Sequence, residues 1–271
     1  MNVCMKSFRF PGVIAKLSVV VNVALTILFA RIVSAAVIIA PNSPTSNVGP
    51  SAGSTLVGLV DGVGLSSSLP TGSDTGTAMG VTQENAGISE AYVTPPAVPD
   101  YFANGGVVPV LTFTLGGSFS DIDSILVWNY NQSTGNPGFS QNNSLKSFTL
   151  RFYGDASATS LLGTEANLTV DRNRPATGTG SGPQVAQQVF FSGGINYDNV
   201  QSFTLELTDN YFGTSGGLGG DRVGLSEVRL SQIPEPNSAL FVASLLAGGV
   251  VLLRCRRLRR GNAVSQGSPQ S

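Results

Sequence analysis

The chain has 271 residues, with 33 glycines, 15 prolines, no histidine and a formal net charge of −1. Without histidine there is no Ser-His-Asp or Cys-His machinery and no His-ligated zinc. All sixteen acidic residues lie between Asp61 and Glu235, against six basic ones (Lys146, Arg151, Arg172, Arg174, Arg222 and Arg229), and the resulting −10 excludes a nucleic-acid partner, because phosphate binding needs a cationic face.

At the N-terminus, Lys6, Arg9 and Lys16 precede the apolar run LSVVVNVALTILFA, and small residues follow from Val33 to Ala36. Basic, apolar and small-residue regions in that order read as a secretory signal peptide over 1–36, cut by signal peptidase after Ala35 or Ala36. Arg31 interrupts the end of the run, so an uncleaved membrane anchor is the alternative. Cys4 falls in this segment and Cys255 in the basic tail. The part between them has no cysteine and needs no disulfide framework.

Residues 37–54 read as a linker or an early edge strand, and the main domain runs over 55–232. Short β-like stretches follow one another: Val108 to Leu115, Asp121 to Tyr130, Leu145 to Tyr153, Val185 to Phe191, Val200 to Leu207 and Val223 to Leu230. Phe148, Leu150 and Phe152 alternate onto one face, as do Phe203, Leu205 and Leu207, the period of strands with one buried side. Between the ends there is no capped 3.6-residue pattern, and no repeat of roughly 20–50 residues recurs to suggest a β-solenoid. The fold class expected is all-β: an antiparallel jelly-roll β-sandwich, with an N-terminal signal helix and a C-terminal short transmembrane helix. Trp128, Tyr130, Phe148, Phe152, Phe190, Phe191 and Phe203 supply much of the expected core. Trp128 could instead stack on a sugar, but its apolar strand favours packing.

Four segments occur in order: DGVGLS at 61–66, LTFTLGGSFSDIDSILVWNYNQSTG at 111–135, LKSFTLRFY at 145–153 and RVGLSEVRL at 222–230. Together they resemble the galactose-binding-domain-like (discoidin or F5/8 type C-like) jelly rolls, over about 55 to 232. Residues 67–104 depart from that family's pattern. The resemblance implies a structural calcium where the early Asp-Gly loop meets the last strand's glutamate, here Asp61 and Glu227. Carboxylate and carbonyl oxygens from loops suit such a hard cation, and Gly62 and Gly64 allow the loop to curl. A turn-capping Asp61 and a surface Glu227 are the alternative. Carbohydrate binding needs an aromatic platform with planar hydrogen-bonding groups at one rim; the loop candidates are Asn129, Tyr130, Asn131, Tyr211 and Phe212. The absent histidine removes a donor often used by sugar sites in that family. Asp121 and Asp123 alternate on one strand face, but that spacing also suits a solvated edge, and the chain reads as non-catalytic.

The tail combines three features. Pro234, Glu235 and Pro236 come first, then sixteen uncharged residues from Ser238 to Leu253, then an arginine cluster with Arg254, Arg256 and Arg257. A membrane span needs about twenty residues, a length that Pro236, Asn237 and a snorkelling Arg254 bring within reach. The arginines would remain cytoplasmic, leaving the acidic segment outside. This arrangement over 233–260 resembles the PEP-CTERM sorting signal of Gram-negative bacteria, with a disordered cytoplasmic tail over 261–271. The resemblance implies recognition and cleavage by a membrane-embedded exosortase, then delivery to the outer membrane, cell surface or extracellular matrix. The expected partner there is extracellular polysaccharide or a cell-surface glycan. The competing expectations are a purely structural or protein-binding surface protein, and a carbohydrate-active enzyme.

Overall fold

The computed structural model describes residues 35–42, 44–83, 88–130, 142–172, 183–212 and 219–233. The signal segment through residue 34 and the sorting signal from Pro234 onward lie outside them. Among the described residues, no helix is long and apolar enough to cross a membrane.

The alternating apolar stretches fold as strands. They are β1 (Val37–Ile39), β2 (Thr45–Ser46), β3 (Thr82–Gln83), β4 (Tyr92–Val93), β5 (Val110–Phe119), β6 (Ile122–Asn129), β7 (Leu145–Tyr153), β8 (Leu161–Thr169), β9 (Gln184–Val185), β10 (Gln187–Phe190), β11 (Val200–Asn210) and β12 (Gly224–Gln232). Among the described residues they form two five-stranded sheets and a two-stranded ribbon, all with antiparallel pairing. One sheet has the order β1-β12-β6-β10, with β4 also pairing β12; the other has the order β2-β5-β11-β7-β8. From β5 to β12 the chain repeatedly crosses between the sheets, so the fold is an antiparallel β-sandwich.

Alternation decides which residues fill the space between the sheets. Leu111, Phe113 and Leu115 of β5, the Phe148, Leu150 and Phe152 series of β7, and the Phe203, Leu205 and Leu207 series of β11 are all buried in one cluster with Ile125 and Val127 of β6 and Val228 and Leu230 of β12. Register brings Phe203 opposite Phe113, and the two rings stack with centroids 4.6 Å apart. Such cross-strand aromatic pairs contribute roughly 0.5–1.5 kcal/mol beyond area burial.

The first sheet is buried on its other face too. Leu126 and Trp128 point away from the main core and pack with Ile38, Leu69, Ala78, Val81 and Ala186. The covering chain is residues 65–83, including the short helix α1 (Thr75–Met79). Asp74 caps it, its Oδ1 accepting the Thr77 N–H at 2.7 Å. The segment with no family pattern in sequence therefore forms part of a second core. Trp128 is fully buried, and its Nε1 donates to Val81 O at 2.9 Å.

One core expectation needs correction. Phe190 is 62% exposed, while the other six aromatic residues named for the core are buried. The expected strand Val185 to Phe191 breaks at Ala186: Gln184 and Val185 pair with β3, and Gln187 onward pairs with β6. This sends Phe191 inward onto Phe152 and leaves Phe190 outside.

The connections define two ends. Residues 120–121, 154–160 and 191–199 join strands at one end, where Val37 pairs with Gln232. The described residues 94–109, 130, 142–144, 170–172, 211–212 and 219–223 lie at the other.

Candidate ligand rim and the Asp61 loop

The loop end is held by asparagines. Asn129 is buried, and its Nδ2 donates to Leu145 O at 2.7 Å and Asp171 O at 3.0 Å. Its Oδ1 accepts from Tyr130 N at 2.9 Å and Leu145 N at 3.0 Å. Both donors and both acceptor positions of the amide are thus used within the protein. Tyr130 is buried beside Ala91 and Val93, and burial pushes its phenol up to about 12. Expected as ligand-facing, Asn129 and Tyr130 instead fasten strand ends together. Asn131 lies outside the described residues.

Tyr211 and Phe212 follow β11 into the next loop. Tyr211 is half-buried, and its hydroxyl donates to Val170 O. Burial raises its pKa, with the nearby Asp171 adding to the shift. Phe212 is 42% exposed. Its backbone N–H donates to Asn210 Oδ1 at 3.1 Å, while Asn210 Nδ2 donates to Gly220 O at 2.7 Å and Arg222 O at 2.8 Å. A Cβ on Gly220, whose φ is +93°, would lie 2.6 Å from Phe212 Cδ2, so the ring stands directly over that glycine.

A second copy of this turn escaped the sequence reading. Asp100-Tyr101-Phe102 matches Asn210-Tyr211-Phe212 in chemistry, and Phe102 N donates to Asp100 Oδ1 at 3.1 Å. In each case the Asp or Asn oxygen accepts from the Phe two residues on, the local bond that makes these residues turn formers. Both turns reach Gly220: Tyr101 N donates to Gly220 O at 2.9 Å, and Phe212 packs on the same residue. Tyr101 and Phe102 meet edge to face at 5.2 Å, with the Tyr101 hydroxyl donating to Val107 O at 2.7 Å. The signal available in sequence was the repeated Asx-Tyr-Phe triplet. Two carboxylates near the rim are paired with bases, Asp209 with Lys146 at 2.5 Å and Asp221 with Arg222 at 3.6 Å.

The Asp61 loop lies on the outer face of the first sheet. Glu227 and Arg229 alternate onto that face, respectively 0% and 3% exposed, and form an ion pair between Oε1 and Nη1. Glu227 Oε2 accepts the Gly62 N–H at 3.3 Å. Arg229 Nη2 donates to Val60 O at 2.9 Å, and Nη1 donates to Val228 O at 2.8 Å. Asp61 is exposed, with its Oδ1 accepting the Val63 N–H at 2.9 Å. Burial raises the pKa of the Glu227 carboxyl; Arg229 opposes that rise and Asp61 adds to it. Asp61 and Glu227 are therefore neighbours, as expected, but Glu227 is neither on the surface nor free. Glu227 Oε1 is ion-paired with Arg229, while Oε2 and the Val60 carbonyl already accept N–H groups, a donor set that does not fit calcium. Among the described residues no group of three or more acidic or cysteine side chains could hold a metal.

No family model matches the chain, and no curated protein matches it. Several solved structures resemble it at low identity. One is the family 32 carbohydrate-binding module of C. perfringens NanJ in complex with galactose: 12% identity, TM-score 0.40, covering 73% of this chain and 99% of that one. Another is the lectin domain of lectinolysin complexed with Lewis b antigen, at 15% identity and TM-score 0.37, with 70% and 91% covered. A third is the chitosan-binding module 1 of a Paenibacillus chitosanase/glucanase, at 14% identity and TM-score 0.36, with 70% and 96% covered. At these identities and TM-scores the likeness assigns no function to this chain, whose own residues must supply it.

Proposed function

We propose that this chain is an exported, non-catalytic jelly-roll module that binds extracellular polysaccharide or a cell-surface glycan at its loop end. The observation that carries this reading is the pair of Asx-Tyr-Phe turns meeting at Gly220, with Phe212 exposed and Phe102 half-buried. Aromatic faces supply flat apolar area for the C–H side of a sugar ring. Absence of histidine favours binding over hydrolysis. Within the same reading, signal peptidase processes the N-terminal segment. An exosortase recognises Pro234, Glu235 and Pro236 with Arg254, Arg256 and Arg257, so that inner-membrane anchoring is transient and the module reaches the outer membrane, cell surface or matrix.

The test is binding of the full chain to the producing organism's extracellular polysaccharide and to a glycan array, with and without Phe212→Ala. Saturable binding weakened about tenfold in F212A, at unchanged melting temperature, is the expected result; one such lost contact is worth about 1.4 kcal/mol. No binding to any glycan would leave a structural or protein-binding surface module instead.

A further inference from the structure

We propose that the Arg229 guanidinium serves as a built-in cation that ties the Asp61 loop to β12, so that the module holds its shape without calcium. The inference is independent of what the loop rim binds. Its basis is the order of contacts on the outer face of the first sheet. A calcium ion linking this loop to the last strand would need the Glu227 carboxylate and loop carbonyls as ligands. Arg229 is already joined to the first and hydrogen-bonded to one of the second, Val60 O.

Charge and geometry point the same way. Arg229 is two residues from Glu227 on the same strand, so both side chains emerge on one face. Its planar fork bridges three groups from two parts of the chain: the Glu227 carboxylate, Val228 O of β12 and Val60 O of the loop. A lysine could not span them with two nitrogens. Gly62, at φ +72°, turns its N–H onto the remaining Glu227 oxygen, and a Cβ there would come within 3.8 Å of Arg229 Nη2. A metal ion placed here would sit beside a buried guanidinium, and such like-charge contact is strongly unfavourable away from water. With Arg229 removed, Glu227, Asp61 and Val60 O would become a hard-cation donor set.

The experiment is thermal unfolding of the full chain, followed by the fluorescence of its single tryptophan, in EDTA and in millimolar calcium chloride. The wild type is expected to melt at the same temperature in both. Arg229→Gln is expected to melt lower in EDTA and to rise when calcium is added, whereas Arg229→Lys, which keeps the charge, should not respond. A wild-type melting temperature that rises in calcium overturns the proposal, as does an R229Q variant that folds but ignores calcium. If R229Q does not fold in either condition, the wild-type comparison decides alone.

Discussion

Tyr197 occupies the space that a side chain on Gly163 would need. A Cβ on Gly163 would lie 2.3 Å from Tyr197 Cε1. The ring cannot step aside easily: its hydroxyl donates to the buried Glu165 Oε1 at 2.7 Å, and its face stacks on Phe152 at 4.4 Å. Gly163→Ala should therefore destabilise the sandwich by about 2 kcal/mol, within the usual range for an overpacked core. Urea unfolding measures it. The cost should shrink in a Tyr197→Leu background, and equal costs in both backgrounds would contradict the steric account.

Asn210 closes the loop carrying Tyr211 and Phe212 from within. Asn210→Asp keeps the acceptor for Phe212 N but replaces two donors by a carboxylate facing the carbonyls of Gly220 and Arg222. A loss of about 3 kcal/mol is expected, because buried acceptors are left facing one another. Chemical denaturation at neutral pH reads the change; a loss below about 1 kcal/mol would mean that the loop is held by other bonds.

Gln83 offers the opposite case. It is 2% exposed, and neither atom of its amide has a hydrogen-bond partner. Gln83→Met keeps the length and removes two buried polar atoms, so the melting temperature should rise, by an amount corresponding to about 1–2 kcal/mol. A fall would show that the amide is satisfied in solution.

Buried tyrosines contribute to the alkaline limb of the stability curve. Burial pushes the Tyr92 and Tyr130 phenols up to about 12, and burial with the adjacent Glu165 carboxylate drives Tyr197 further in the same direction. The folded state thus holds these protons more tightly than the unfolded chain does. Their contribution is complete below about pH 10 and is lost as pH rises from there through the folded values. Tyrosinate absorbance for these residues should appear together with unfolding. Ionisation preceding loss of the tryptophan signal would contradict the burial argument.

Much of the fold was legible wherever one face met the core. Phe148, Leu150 and Phe152, or Phe203, Leu205 and Leu207, announce a strand by period alone, and both series are buried as expected. β8 was missed because it is an edge strand: Leu161 and Leu162 are exposed, while inside it Glu165 is buried against Tyr197. The cover over Trp128 was illegible for another reason. Ile38, Leu69, Ala78 and Val81 come from separate short pieces whose partnership exists only once the first sheet is formed. At the rim, Asn129 and Tyr130, expected to face a ligand, are instead buried and bonded within the protein. A polar or aromatic residue at a strand end looks the same in sequence whether it faces a ligand or fastens a neighbouring strand. The Asp61 loop does lie against Glu227, but Arg229, two residues away, changes what that proximity can hold.

β12 has neighbours on both flanks. It pairs with β6 from Leu225 to Gln232, and with β4 and β1 near its two ends. It also runs from the loop end to the end where the described chain finishes, at Ile233. A polymer gripped at the loops and a pull on the chain beyond Ile233 would therefore stretch the domain along this strand. The ladder bonds lie across that direction and would be loaded together in shear, whereas an edge strand pulled sideways yields one bond at a time. In a matrix under flow, such a domain would transmit tension as a stiff link, and its mechanical lifetime would be set by how slowly β12 slides between its partners.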